Sequence, residues 1–191
     1  MRNAAPTVPG GEENLEAWSR LTPAKKEEMA QLLATPQFAE LVASGTTDQS
    51  TVEAVSDELE IVSEEGVTNS KPEGGPLTWG TTKRFSVNSY WVNTFKFAGV
   101  TITKIKQSFD YQTSGSSVTK VYSCKHSSTN YAPTRSLSGD TSFWKSGTKG
   151  RCSTVWELHY AIAWIPTPLY RSFTQNMQVN GSKGIEKKWF D

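Results

Sequence analysis

The stretch RFSVNSYWVNTFKF, residues 84–97, alternates apolar and polar side chains with a period of two. Its apolar residues of one parity are Phe85, Val87, Trp91, Phe95 and Phe97. Residues two apart on a β-strand point to the same face of a sheet. The stretch therefore predicts a β-strand that buries one face against a hydrophobic core.

The same period continues along the chain after this stretch. Apolar and polar residues alternate in VTITKIKQSFDY, VTKVYSCKH, CSTVWELHYAIAWI, YRSFTQNMQV and IEKKWF. The runs TSGSS and VNG carry turn residues between such segments, and VNG is a strong hairpin signal. We therefore predict an antiparallel β-sandwich over residues 79–191, with a long polar loop at residues 127–150.

Helical signals precede this domain. LTPAKKEEMAQLLATP and TPQFAELVASG each begin with a Thr-Pro pair that suits a helix start, with Thr22 or Thr35 as N-cap and proline at the first helical position. Gly45 is the predicted helix end. The pattern of STVEAVSDELEIVSEEG, residues 50–66, fits either a helix or a strand.

Charge divides the chain into two parts. Residues 1–78 contain 5 Lys and Arg against 14 Asp and Glu, whereas residues 79–191 contain 15 against 5. We therefore predict an acidic, partly helical N-terminal segment (residues 1–67), a linker (68–78) and a basic β-sandwich domain (79–191). Apolar stripes that include Leu15, Trp18, Phe38, Leu41 and Val42 need burial, so we expect residues 12–66 to dock on the basic domain.

Two short stretches hold both cysteines and both histidines: Cys124 and His126, then Cys152 and His159. A zinc site is disfavoured, because a continuous strand sends Cys152 and His159 to opposite faces and the spacing lacks a tight ligand pair. The alternatives are a disulfide and two buried free thiols. We favour a Cys124–Cys152 disulfide and expect no metal.

Catalytic patterns are weak. Cys124 with His126 is conceivable as a nucleophile and base, with Asp110 or Asp140 as the third group, but side chains two apart on a strand diverge. The basic domain has five scattered acids, and no obvious pair of carboxylates suits a glycosidase. Neither a phosphate-binding loop nor a dinucleotide glycine motif occurs, so we expect no cofactor.

The basic domain holds six of the seven tryptophans. Strand parity assigns Trp91 and Trp156, together with Trp164, to the core. The pair Phe143–Trp144 before Lys145 lies in a polar stretch between glycines, and it is a candidate for contact with a partner. The C-terminal EKKWFD adds Trp189 as a second candidate.

A family resemblance rests on EAWSRLTPAKKEEMAQLLATPQF (residues 16–38), KQSFDYQTSGSSVT (106–119) and TNYAPTRSLSGD (129–140). In these stretches the chain resembles uncharacterised exported proteins of actinobacterial-type Gram-positive bacteria, in which a short helical segment precedes an all-β domain. The resemblance implies secretion and a β-sandwich. It brings no known activity and no catalytic residues.

The sequence thus predicts a secreted, non-enzymatic binding or surface-interaction protein. The candidate partners are an anionic surface, a carbohydrate or another protein, and nucleic acid is not favoured. The alternatives are a membrane-active, toxin-like protein with an acidic pro-region, and a hydrolase. A disulfide predicts an extracellular or cell-surface location, although the first residues, MRNAAPTVPGG, carry no apolar stretch typical of a signal peptide.

Overall fold

A computed structural model describes residues 11–69, 83–131, 135–160, 169–182 and 184–191, with the backbone alone at residues 160 and 169. The helices are α1 (Gly11–Arg20), α2 (Pro23–Leu33), α3 (Pro36–Ser44) and α4 (Gln49–Glu53). The strands are β1 (Leu59–Asn69), β2 (Arg84–Phe97), β3 (Val100–Ser114), β4 (Ser117–Asn130), β5 (Arg135–Ser146), β6 (Lys149–Tyr160), β7 (Leu169–Asn180) and β8 (Gly184–Phe190).

Side chains at the helix ends satisfy backbone groups as the sequence predicts. The Thr22 hydroxyl accepts a hydrogen bond from the Lys25 N–H at the start of α2, and Thr35 does the same for Phe38 at the start of α3. Gly45 ends α3 in the left-handed conformation, with φ of +56°. All three predicted boundaries are therefore confirmed.

The strands form two four-stranded antiparallel sheets, in the orders β1-β2-β3-β4 and β5-β6-β7-β8. The prediction of a mainly β sandwich with a short helical N-terminal segment is confirmed. The ambiguous stretch 50–66 holds the end of α4 and most of β1, and β1 pairs with β2 from Leu59 to Asn69. The acidic segment drawn over residues 1–67 thus contributes a strand to the first sheet, while residues 70–78 of the proposed linker lie outside the described residues.

The predicted polar loop at residues 127–150 is wrong. Within it, β4 continues to Asn130, β5 occupies Arg135–Ser146 and β6 begins at Lys149. Alternation in β5 is hidden because Gly139 and Thr141 interrupt the inward-facing row that also holds Leu137 and Phe143. A strand can form from such residues because backbone pairing with β6 satisfies its hydrogen bonds.

The inward faces of the two sheets meet in a core that matches the predicted parity. Val87, Trp91, Phe95 and Phe97 of β2 are buried, and Phe85 at the end of the strand is half-buried. In β6, the side chains of Cys152, Thr154, Trp156 and Leu158 are buried. Trp91 and Trp156 are therefore core residues as predicted, whereas Trp79 and Trp164 lie outside the described residues.

A layer of polar side chains divides this core. Asn93, Gln107, Thr154 and Gln175 occupy inward positions of β2, β3, β6 and β7, and all four are fully buried. On one side lies an apolar cluster that includes Phe95, Ile105, Trp156 and Phe173, and on the other lies a cluster that includes Trp91, Phe109, Cys152 and Met177. We call these four polar residues the polar layer.

Gln107 ties the two sheets together within the polar layer. Its Nε2 donates to the Thr154 hydroxyl at 2.8 Å and to the Gln175 carbonyl at 3.0 Å. The Trp156 indole N–H donates to Gln175 Oε1 at 3.0 Å. Both amide atoms of Asn93, together with Gln107 Oε1 and Gln175 Nε2, have no protein partner.

The helices pack against one end of the sandwich, as the apolar stripes predict. Leu32, Leu33, Phe38, Leu41 and Val42 belong to the same buried cluster as the inward residues at that end of the sheets. Three ion pairs also link the acidic segment to the basic domain, and they are Glu40–Arg171, Glu60–Lys96 and Glu65–Lys188. Such exposed pairs contribute about 0–1 kcal/mol each, so apolar burial dominates the docking.

The first helix is an exception to this burial. Leu15 is 67% exposed and no residue of α1 is buried, so the predicted burial of the Leu15/Trp18 stripe is wrong. The helix is held by Asn14, whose side-chain amide accepts from Thr101 N at 2.6 Å and donates to Thr101 O at 3.0 Å. These two hydrogen bonds to the backbone of β3 position α1, although none of its side chains is buried.

Arg135 joins the helices to the second sheet. Its side chain is buried, Nη2 donates to the Leu33 carbonyl at the end of α2, and the guanidinium lies 4.4 Å from the centre of the Phe38 ring. The last carbonyls of a helix carry partial negative charge and lack intrahelical donors. A buried cation at this position therefore fixes both α2 and α3 on the sandwich.

Candidate functional site

Three hairpin turns meet at the end of the sandwich that lies opposite the helices. The backbone N–H of Val118, after the β3–β4 turn, donates to Thr148 O in the β5–β6 turn at 2.8 Å. Gly181 N, in the β7–β8 turn, donates to Ser116 O in the β3–β4 turn at 3.0 Å. These bonds hold the turns together, and the surface they form comprises residues 66–69, 83–87, 111–121, 143–151, 178–182 and 184–187.

This surface, which we call the turn end, is strongly basic. It holds seven cations and one acid, Glu186, and the cations are Lys83, Arg84, Lys120, Lys145, Lys149, Arg151 and Lys187. Residues 11–58, at the opposite end, hold three cations and ten acids. The fourteen residues of β2 separate the two groups by roughly 45 Å at 3.3 Å per residue. The charge asymmetry of the sequence thus becomes a charge separation along the long axis.

Phe143, Trp144 and Lys145 lie on the turn end, on β5 rather than on the loop that the sequence predicts. Phe143 is 42% exposed and Trp144 is 43% exposed. Phe143 pairs with Cys152, which faces the first sheet, whereas Trp144 pairs with Arg151 on the outer face. Cross-strand partners share a face, so the two rings cover opposite sides of this edge strand.

Trp189 lies apart from that pair. It is on β8, at the other edge of the second sheet, so about 14 Å of strand spacing separates it from β5. Its indole N–H donates to the Asp191 carboxylate at 2.9 Å, and Asn176 donates to the same oxygen at 2.9 Å. Trp189 shares the outer face with Trp144, but the structure does not bring the four predicted binding residues into one cluster.

A chain of hydrogen bonds fixes the cations beside Trp144. Arg151 Nε donates to Gln178 Oε1 at 3.0 Å, and Gln178 Nε2 donates to Glu186 Oε2 at 2.8 Å. Lys149 Nζ lies 2.8 Å from the same carboxylate oxygen. The hydrogen bond from Lys149, followed by that from Gln178, lowers the pKa of Glu186 below its usual value. The carboxylate holds two basic strands in a fixed arrangement at the turn end.

Cys124 and Cys152 are joined by a disulfide with an S–S distance of 2.01 Å, so the predicted bond is confirmed. It links β4 of the first sheet to β6 of the second. His126 packs edge-on against Trp156 and His159 against Tyr170, at ring separations of 5.3 and 4.9 Å. The bonded sulfurs have no thiolate to offer, so neither the zinc arrangement nor a Cys124 nucleophile is available in this state.

Most carboxylates of the basic domain accept hydrogen bonds from different neighbouring side chains. Asp110 accepts hydrogen bonds from Asn88 and Ser123, Glu157 accepts from Tyr170, and Asp191 accepts from Asn176 and Trp189. Among the described residues no group of three or more His, Cys, Asp or Glu side chains is placed to hold a metal ion.

Sequence reasoning missed most of the cations of the turn end. Arg84, Lys120, Lys149 and Arg151 are far apart in sequence and meet only because three hairpins turn at the same level. The available signal is that TSGSS, SGTKG and VNGSKG, all turn-like runs, are followed or interrupted by lysine. The turn sequences do not predict the strand lengths, and it is the strand lengths that bring the three turns to the same end of the sandwich.

Neither protein-family models, nor curated proteins, nor solved structures yielded a match to this chain. Among the described helices, none is long and apolar enough to cross a membrane.

Proposed function

We propose that this chain is a secreted, non-enzymatic binding protein that attaches to an anionic surface through its turn end. The observation that carries the proposal is the concentration of seven cations and a single acid on that end, with the acidic helices at the other. Each Lys or Arg near an anionic lipid surface contributes about 1 kcal/mol of attraction. The molecule therefore approaches such a surface with the turns first.

The exposed rings of Phe143 and Trp144 support the same orientation. Aromatic rings beside lysines suit the boundary between an apolar layer and a charged headgroup region, because the rings provide apolar area while the amines stay in water. Charge supplies long-range orientation, and the two rings supply short-range contact. The disulfide is compatible with an extracellular location.

The packing of the helices favours this proposal over the toxin-like alternative. A pro-region that masks a membrane-active surface would have to cover the basic end, whereas α2, α3 and α4 are part of the buried core at the other end. Release of dye from anionic vesicles separates the two functions. A binding protein attaches and leaves the vesicles sealed, and a membrane-active protein makes them leak.

The test is cosedimentation with phosphatidylglycerol vesicles and with phosphatidylcholine vesicles, at low and at physiological salt. We expect binding to the anionic vesicles that weakens as salt rises, because salt screens exposed charges. Lys145→Glu should weaken binding at least about fivefold, since it reverses one cation near the surface. Lys104→Glu makes the same charge change on β3, outside the turn end, and is the control.

A second pair of variants tests which ring takes part. Trp144→Ala should weaken binding, whereas Trp189→Ala should leave it unchanged, because Trp189 lies on β8 outside the turn end. Equal binding to both vesicle types, or equal effects of Lys145→Glu and Lys104→Glu, would contradict the proposal. Binding to immobilised heparin but not to vesicles would retain the turn end as the site and assign it to a polyanion instead of a lipid.

A further inference from the structure

An open pocket of about 450 Å³ lies on the first sheet at the margin of the turn end. Four of its lining residues belong to the turn end, and they are Thr68, Ser86, Val87 and Tyr111. The other three, Asn88, Asp110 and Tyr122, lie outside both the turn end and the helices. The volume falls in the range of sites that hold small molecules, which is roughly 300–1,000 Å³. Asn88 and Asp110 are cross-strand partners on the outer face of β2 and β3, so backbone pairing fixes their relative position.

Neighbouring donors hold the Asp110 carboxylate in place. Asn88 Nδ2 donates to Asp110 Oδ1 at 2.7 Å, and the Ser123 hydroxyl donates to Asp110 Oδ2 at 2.6 Å. A carboxylate offers about four lone-pair positions, so each oxygen keeps acceptor capacity for a further donor. Since the Asn88 amide turns its NH₂ group to the carboxylate, its carbonyl oxygen is an additional acceptor.

The charges around the pocket narrow the class of ligand. An anionic group would face the Asp110 carboxylate at close range, which disfavours it. A cationic group would compete with Lys125, whose Nζ lies 3.8 Å from Asp110 Oδ2, and would be repelled by it. A neutral molecule whose hydroxyl groups donate hydrogen bonds is repelled neither by Asp110 nor by Lys125.

Tyr122 adds an apolar surface to these acceptors. Its side chain is 40% exposed, and the Lys120 Nζ lies 5.2 Å from the ring centre. Aromatic faces carry partial negative charge and attract weakly polarised C–H groups. A ligand with hydroxyl groups on one side and C–H groups on another matches this combination, and sugars have that structure.

We propose that this pocket binds a neutral sugar residue, with Asp110 and Asn88 accepting hydrogen bonds from its hydroxyl groups and Tyr122 packing against its C–H face. The inference does not depend on attachment of the turn end to an anionic surface. A sugar site and a basic surface on one molecule are separable properties, and each has its own variants.

The test is titration of the ¹⁵N-labelled protein with D-glucose, D-galactose, D-mannose and N-acetyl-D-glucosamine, each up to roughly 50 mM, which exceeds the millimolar dissociation constants of weak single-site ligands. We expect at least one sugar to give saturable amide shifts confined to the residues around the pocket. Asp110→Asn keeps the size of the side chain and should weaken binding about tenfold, because hydrogen bonds to a charged acceptor are the stronger kind.

Tyr122→Ala should weaken binding of the same sugar, and Tyr170→Ala should not. Tyr170 is 47% exposed on the second sheet and is therefore a matched control. The amide spectrum of each variant verifies that it is folded. Absence of saturable shifts with all four sugars would overturn the proposal, as would binding that both Asp110→Asn and Tyr122→Ala leave unchanged.

Discussion

Single residues determine where the helices end and how the turn end is held, and they do so through short contacts with distant strands. Gly45 ends α3 and lies against the ring of Phe190 on β8. Glu186 joins Lys149 and Gln178. The sequence identifies Gly45 as a helix end, but the local pattern does not predict its contact with Phe190, because the two lie 145 positions apart in the sequence.

Gly45→Ala should lower the free energy of unfolding by roughly 2–4 kcal/mol, because an added Cβ meets the Phe190 ring at a positive φ. Gly115→Ala is the control, since Gly115 has φ of +58° and open space around an added Cβ. It should cost only about 1 kcal/mol. Urea denaturation measures both, and equal losses would show that the Phe190 contact is not important.

Glu186 should make the free energy of unfolding depend on pH in the acidic range. Its folded-state pKa is lowered by Lys149 and Gln178, so its contribution is complete above the unfolded pKa of about 4.3. That contribution is lost as pH falls through the lower folded-state value. Urea midpoints measured from neutral to acidic pH should fall less steeply for Glu186→Gln than for the natural chain. Parallel curves would contradict the assignment.

At the scale of elements, the alternation of apolar and polar residues predicts the strands that bury large apolar side chains, but it does not predict β5. The core strands β2 and β6 follow the predicted parity. The polar layer is also invisible to a hydrophobic pattern, because an inward-facing Asn or Gln reads as an interruption of the apolar face. Its members become recognisable only when the registers of both sheets place Asn93, Gln107, Thr154 and Gln175 at one level.

The polar layer predicts opposite effects for two similar changes. Gln107→Leu should lower the free energy of unfolding by roughly 1–3 kcal/mol, because it removes two hydrogen bonds that join the sheets. Asn93→Leu should raise it by about 1 kcal/mol, because it removes a buried amide without a protein partner. Chemical denaturation gives both values. A loss with Asn93→Leu would mean that this amide is satisfied in solution.

The disulfide should stabilise the pairing of the two sheets. It closes a loop between β4 and β6 with a sequence separation of 28, which contributes roughly 3–4 kcal/mol in the chain-entropy account. Intact mass should rise by about 2 Da on reduction, and the urea midpoint should fall with it. Unchanged mass after full reduction would show that the natural protein lacks the bond.

At the scale of the whole molecule, the composition of the acidic segment and of the basic domain predicts that the two pack together. It does not predict which surfaces are in contact. The structure places the acidic helices at one end and the basic turns at the other, so the opposite charges are mostly not in contact. Apolar stripes at Phe38, Leu41 and Val42 predict docking correctly. The predicted burial of Leu15 and Trp18 is wrong, and hydrogen bonds from Asn14 to the backbone of β3 hold α1.

Limited proteolysis should show that apolar burial holds the helices. We expect residues 32–45 to resist cleavage at both low and high salt, since Leu32, Leu33 and Phe38 are buried. Phe38→Ala, which should cost roughly 3–5 kcal/mol, should open this region to protease. Glu40→Gln removes an exposed ion pair with Arg171 and should have little effect. Cleavage that begins at high salt in the natural chain would instead assign docking to charge.

Each sheet consists of four consecutive strands, and this order has a consequence for synthesis on the ribosome. The first sheet ends at Asn130, so all of its strands are synthesised before any strand of the second sheet. Until the second sheet is made, Phe95, Ile105 and Phe109 lack their packing partners on it, and Cys124 lacks its disulfide partner Cys152. We therefore expect the half-made chain to depend on chaperones and to aggregate readily, and oxidation at Cys124 to follow translation of Cys152.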